Sequence, residues 1–212
     1  ERVNYTGRTK TARDKYLSKE EFSSLLKATT ASRVNADYWW LIFFLMGNLG
    51  LRGGEAVRLR VEHIDTKNCA IRVPTLKQEG KKGEKKGSIK RGQMPVTLID
   101  TPVSQIVMDK VTNYIKSNNR RGWIFPEKDG LHLSEDKMRK AFKFFAHKAK
   151  LNPIYSPHSL RHCKGIQTYR KLKDIRAVQA MLRHRNINST VVYTHLDLDA
   201  KRELSDNLEV ME

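Results

Sequence analysis

Apolar residues recur along this chain mostly at helical intervals, interrupted by one short alternating stretch. Ser18-Lys19-Glu20-Glu21 has the form of a capping box, and Phe22, Leu25 and Leu26 follow on one face, which predicts an amphipathic helix. The apolar run at residues 38–46 predicts a fully buried helix starting at Asn35 or Asp37. Gly47-Asn48-Leu49-Gly50-Leu51-Arg52-Gly53-Gly54-Glu55 ends it, because glycines break a helix and permit a sharp turn; residues 55–59 read as helical again. Residues 64–68 form a turn phrase, residues 69–73 alternate as a short strand, and residues 94–98 read as its return strand. Thr101-Pro102 is expected to open an amphipathic helix through Ile106, Val107, Val111, Tyr114 and Ile115. Residues 123–126 form a short apolar core segment, and Ser134 caps a long helix with Met138, Ala141, Phe142, Phe145 and Ala149 inward. Ser156-Pro157 starts the next helix, Asp174 caps another bearing Ile175, Val178, Met181 and Leu182, and Ser189 caps a short one carrying Tyr193. The order is helix, helix, small antiparallel sheet, then mostly helices, so the predicted class is α+β and mainly α-helical.

Composition narrows the function. The 212 residues allow one large domain or two small ones, and 39% hydrophobic content is enough for a core. Forty-one Lys plus Arg against 23 Asp plus Glu give a formal charge of +18, which favours polyanionic partners, nucleic acid foremost. The longest apolar run, nine residues, is too short to span a bilayer, so no membrane role is expected. Cys69 and Cys163 have no metal or redox spacing, which suits a reducing cytosol. Residues 1–15 read as a basic lead-in or linker along phosphates. The opening at Glu1 without methionine suggests a fragment lacking an upstream domain.

Charge also concentrates locally. Residues 75–91 carry seven basic and two acidic residues with three glycines, the composition of a mobile hairpin tip able to enter a DNA groove. Lys81, Lys82, Lys85, Lys86, Lys90 and Arg91 there are candidate DNA contacts, as is Lys140 on the basic face of the helix after Ser134. A tail from about residue 196 is acidic and apolar, suited to packing on its own domain or a neighbouring protomer.

The chemistry gathers in residues 156–195. A helix begun at Ser156-Pro157 puts His158 and Arg161 on one face, with His184 and Tyr193 following. Each residue alone has an ordinary structural explanation. Together, two imidazoles, a guanidinium and a phenol suit a phosphodiester: arginine matches phosphate oxygens with a planar fork, and tyrosine can be a covalent nucleophile.

His158-Ser159-Leu160-Arg161, Leu182-Arg183-His184 and Val191-Val192-Tyr193-Thr194-His195, with Tyr193 nine residues after His184, resemble the catalytic segment of tyrosine recombinases, the phage integrases, archaeal and viral types included. Gly50-Leu51-Arg52-Gly53-Gly54-Glu55 resembles the family's G-L-R-x-x-E phrase, and residues 16–21 resemble the opening of its catalytic domain, so the likeness runs over residues 16–194. Two departures stand out. Gly53 and Gly54 replace a bulky residue and a serine, and Arg183 replaces the usual glycine, tilting the turn or adding a phosphate contact.

The resemblance implies the DNA breaking-rejoining fold over residues 16–212, without the N-terminal core-binding domain. It further implies site-specific recombination through a 3′-phosphotyrosyl link, with no metal, cofactor or ATP. Tyr193 would be the nucleophile, Arg52 and Arg161 the clamp on the non-bridging oxygens, and His158 a base or proton relay. His184 would bond the phosphate, with Glu55 and His162 supporting. Lys77 would be the general acid, with Lys90 on the returning arm as the alternative. The implied partner is double-stranded DNA with specific sites, bound by a homo-tetramer that can be monomeric without DNA. A DNA-binding module without catalysis and a topoisomerase-like relaxing enzyme are the competing readings.

Overall fold

The computed structural model describes residues 16–75, 91 and 97–195. Helix α1, Lys19–Thr30, starts at the predicted capping box: the Ser18 hydroxyl accepts the Glu21 N–H at 3.1 Å, and the Glu21 carboxylate accepts the Ser18 N–H at 2.8 Å. The same carboxylate accepts the Tyr155 hydroxyl at 3.1 Å, which fixes the chain just before the helix that bears His158 and Arg161.

Helix α2, Ala36–Leu49, is apolar nearly all round, and Leu41, Ile42, Phe43, Leu45 and Met46 are buried. Its end requires glycine twice over. Gly50 has φ +62°, and a Cβ there would lie 2.5 Å from Leu182 Cδ2. The tight turn leads directly into α3, Gly53–Val57, so helix resumes two residues before Glu55.

Strands β1 (Ile64–Asp65), β2 (Ala70–Pro74) and β3 (Leu98–Pro102) form an antiparallel sheet in that order. Cys69, expected to open the strand, has φ +49° and belongs to the turn. The expected helix start at Thr101-Pro102 is also corrected. These residues pair with Ile71 and Ala70 at the end of β3, an edge strand that tolerates a terminal proline. Helix α4 (Gln105–Ser117) begins after Ser104 and buries Val107, Met108, Val111 and Tyr114, whereas Ile106 is 69% exposed. Long-range pairing overrides the local proline signal here. The expected return strand at residues 94–98 lies largely outside the described residues.

Helix α5 (Glu135–Lys148) is capped by Ser134 and buries Met138, Phe142 and Phe145. Helix α6 (Pro157–Leu172) has proline at its first position, as predicted, but the Ser156 side chain makes no cap bond. Instead the Ser159 hydroxyl accepts the Ser156 N–H at 3.1 Å. Asp174 accepts the Arg176 N–H at 2.7 Å and caps α7, Ile175–Met181. Helix α8, Asn188–His195, begins one residue before the expected cap, because the Asn186 carboxamide oxygen accepts the Asn188 N–H; Ser189 lies inside the first turn.

Helix α2 lies at the centre, packed against α1, α4 and α6, while α6 also supports α7 and α8. The core is divided. One large cluster joins α1, α2, α4, α5 and the sheet, and a second is formed by Ile166, Val178, Leu182 and Tyr193. Among the described residues no helix is long and apolar enough to cross a membrane.

Candidate active site

Three turns of α6 present the site. His158 and His162 are four residues apart on one face, with Arg161 beside them and Gly165 one turn further on. The His158 and His162 rings meet edge to face, 4.6 Å between centroids at 89°. Gly165 sits mid-helix, where glycine costs roughly 0.5–1 kcal/mol relative to alanine, so close packing is its expected justification. The Tyr193 ring supplies it: a Cβ at Gly165 would lie 2.5 Å from Tyr193 Cζ and 3.0 Å from Leu182 Cδ1. Gly165→Ala is therefore expected to lower stability. Crowding of about 1–3 kcal/mol exceeds the gain of about 1 kcal/mol in helix propensity. A thermal melt at or above that of the wild type would show that the ring yields without cost.

The α2–α3 turn faces this helix. Glu55, 1% exposed, binds Arg52 through the main-chain N–H at 2.8 Å and through Nη1 at 2.6 Å. The same carboxylate pairs with Arg161 at 3.7 Å and Arg183 at 3.5 Å. Burial pushes the Glu55 carboxyl up, but the Arg183, Arg52 and Arg161 charges and the Arg52 N–H outweigh it and hold the group below its ordinary value. Glu55 thus stays an anion and gathers three guanidinium groups.

Arg161 is 1% exposed and donates to the Gly50 and Leu182 carbonyls, so two main-chain oxygens orient its fork. Burial and the Arg52 charge push it down to about 10, still far above neutrality, so the cation persists. Arg183 has φ +54°, the left-handed conformation usual for glycine. Its side chain, 4% exposed, turns inward to the Leu49, Gly50 and Met181 carbonyls and Glu55. The guanidinium staples the α7–α8 turn to the α2–α3 turn.

Tyr193 on α8 is 1% exposed, and its hydroxyl lies 3.0 Å from His162 Nδ1. Burial pushes the phenol up to about 12, against the opposing pull of the Arg161 and Arg52 charges. The His184 ring lies nearly parallel to that of Tyr193, 6.4 Å between centroids, and its Nδ1 is 2.9 Å from the Thr190 hydroxyl. Gln179 donates to the His184 carbonyl at 3.0 Å and fixes the turn. Burial, then Arg161, Arg52, His158 and His162, lower His184 to about 4, so it is neutral at pH 7. Burial and the same two arginines also lower His158. Arg52, His158, Arg161, His162, His184 and Tyr193 therefore share one electrostatic environment, with Glu55 beneath it.

Two further candidates, Arg91 and Lys140, have carboxylate partners of their own. Arg91 bonds Asp129 at 2.6 and 3.2 Å, the His132 carbonyl at 2.9 Å and Glu127 at 3.3 Å. Lys140 is exposed on α5 and pairs with Asp136 at 2.8 Å. Lys77, Lys81, Lys82, Lys85, Lys86 and Lys90 lie outside the described residues. Gly165, Thr190 and Gln179 were not anticipated; only the mid-helix glycine carried a sequence signal.

The sequence model of the phage integrase family matches residues 15–199. The chain is 26% identical over 188 residues to the tyrosine recombinase XerC of Oceanobacillus iheyensis, covering 89% of this chain and 59% of that protein. It is 26% identical over 192 residues to the tyrosine recombinase XerD of Staphylococcus haemolyticus, covering 89% and 60%. The chain thus spans about three fifths of the length of these relatives. The crystal structure of XerA recombinase superposes with a TM-score of 0.72 at 19% identity, over 98% of this chain and 68% of that one. A post-cleavage complex of the XerH site-specific recombinase with a palindromic difH substrate gives 0.70 at 19%, over 92% and 53%. These solved structures share the fold, and the family match runs through every described helix from α1 to α8: the chain belongs to the phage integrase family.

Proposed function

We propose that this chain carries the catalytic domain of a site-specific DNA recombinase, in which Tyr193 attacks a scissile phosphodiester. The observation that carries the reading is Tyr193 itself. Its hydroxyl is seated in its own chain's site, under the charges of Arg161 and Arg52, and this supports attack in cis. Arg52 and Arg161 would neutralise the non-bridging oxygens. Such preorganised electrostatics are commonly the largest catalytic contribution. A neutral His184 would bond the phosphate, His158 would serve as proton relay, and Lys77, or else Lys90, would protonate the departing 5′ oxygen. The 3′-phosphotyrosyl ester conserves the energy of the phosphodiester, so another 5′ hydroxyl can reverse the step without ATP.

The partner in this reading is double-stranded DNA carrying a specific site, bound by four protomers during strand exchange inside the cell. Residues 1–15 serve as a linker, residues 16–212 as the catalytic domain, and the basic residues 81–91 and Lys140 as backbone contacts. The test is covalent capture. The chain is incubated with nicked duplexes of randomised sequence, and DNA that stays protein-linked after detergent denaturation is recovered and sequenced. Wild type is expected to yield adducts enriched in one sequence, and Tyr193→Phe none. No wild-type adduct, or one that survives Tyr193→Phe, sinks the reading. Adducts without sequence preference, together with relaxation of supercoiled plasmid by a monomer, favour the topoisomerase-like alternative.

A further inference from the structure

We propose that His162 is a further catalytic residue of this site, whose Nδ1 takes the Tyr193 hydroxyl proton as that oxygen attacks phosphorus. The inference rests on the recombinase reading and adds to it the destination of the nucleophile's proton. Two imidazoles, His162 and His184, pack against Tyr193, a third, His158, packs against His162, and geometry separates the three. His184 is parallel to the phenol ring, with its Nδ1 engaged by Thr190. His158 lies edge-on against His162. His162 is the imidazole within hydrogen-bond distance of the hydroxyl, at 3.0 Å.

The arrangement follows from spacing on α6. Gly165, one turn beyond His162, leaves room for the phenol ring and so lets its oxygen reach Nδ1. In the tautomer with its proton on Nε2, Nδ1 offers a lone pair and the hydroxyl donates to it. At 1% exposure Tyr193 has little access to bulk water as proton acceptor. A phenol near 12 is ionised at pH 7 in only about one molecule in 10⁵, so attack requires a base in contact.

The step balances internally. The Oη–P bond forms as the bond from phosphorus to the 5′ oxygen breaks. The phenol proton passes to His162 Nδ1, and the leaving oxygen takes a proton from the general acid, Lys77 or else Lys90. The imidazolium so formed adds positive charge beside the transition-state phosphate. In religation His162 returns the proton to Tyr193.

A leaving group that needs no proton isolates the nucleophile's side of this step. Adduct formation is timed in single turnover on the captured duplex and on the same duplex with sulfur at the 5′ bridging position. His162→Ala is expected to slow both substrates about 10²–10⁴-fold. His162→Gln, which keeps a hydrogen-bonding side chain but takes up no proton, is expected to match that loss, with added imidazole partly restoring only the alanine variant. The variant lacking the general acid, Lys77→Ala or else Lys90→Ala, should lose its defect on the sulfur substrate. A glutamine variant at the wild-type rate, or an alanine defect that vanishes with sulfur, overturns the assignment of His162 while leaving the recombinase reading intact. A wild-type chain that forms no adduct on either substrate overturns both.

Discussion

Glu55→Ala is expected to destabilise the fold by about 3–5 kcal/mol, because it removes the shared counter-ion of three guanidinium groups, two of them nearly inaccessible. For a domain of this size that corresponds to a fall of roughly 6–20 °C in melting temperature. Glu55→Gln keeps the shape and one acceptor but removes the charge, so its cost is smaller and of defined pH dependence. A carboxyl held low in the folded state stabilises fully above its unfolded value, and that stability is lost as pH falls through the folded value. The gap between wild type and Glu55→Gln should therefore be widest above about 4.5, the ordinary value, and close on further acidification. A gap constant down to strongly acidic pH would show that hydrogen-bond geometry, not charge, is what Glu55 supplies. His184 adds a separate acid sensitivity. Its neutral folded form contributes stability above 6.5 that disappears as pH falls toward 4, in both proteins alike.

Arg161→Lys should reduce adduct formation by about 10²–10³ while leaving the charge of the chain unchanged. The guanidinium donates from two different nitrogens to the Gly50 and Leu182 carbonyls, so its plane is set before any phosphate arrives. A lysine ammonium is a single point on a flexible stem and cannot hold both oxygens while facing a third acceptor with fixed geometry. DNA affinity and its salt dependence should change little, because the number of cations is conserved. Single-turnover kinetics beside a salt titration separate the two quantities. A lysine variant within tenfold of wild-type rate would show that charge alone, without the fork, is sufficient.

Much of this was legible in the sequence. The capping box at Ser18, the buried run of α2 and proline at the start of α6 follow from local spacing, and the order Arg52, His158, Arg161, His184, Tyr193 from the resemblance to the integrase motifs. What escaped was set by residues distant in sequence. Thr101-Pro102 carries a helix-start signal, yet pairing with β2 decides its conformation. Arg183 on a chain of +18 invites an outward, phosphate-facing reading. Its direction depends on where Glu55 and the Gly50 carbonyl lie, more than 120 residues upstream. His162 was visible as a neighbour of Arg161, but its contact with Tyr193 depends on how α8 folds back over Gly165. Such placements belong to packing, which no local window contains.

The divided core has a thermodynamic consequence. Tyr193 shares its apolar contacts with Ile166, Val178 and Leu182, not with the cluster around α2, so seating α8 and folding the domain are separable equilibria. Unseating it exposes one aromatic ring and a few aliphatic groups, on the order of a few kcal/mol, less than the 5–15 kcal/mol typical of global unfolding. Of the arginine clamp, Arg52 is held by Glu55 outside that small cluster, while Arg161 has one main-chain anchor at Gly50 and the other at Leu182, within it. The nucleophile is thus the less firmly held part of the site, and it is expected to leave and return at a smaller cost than unfolding the domain.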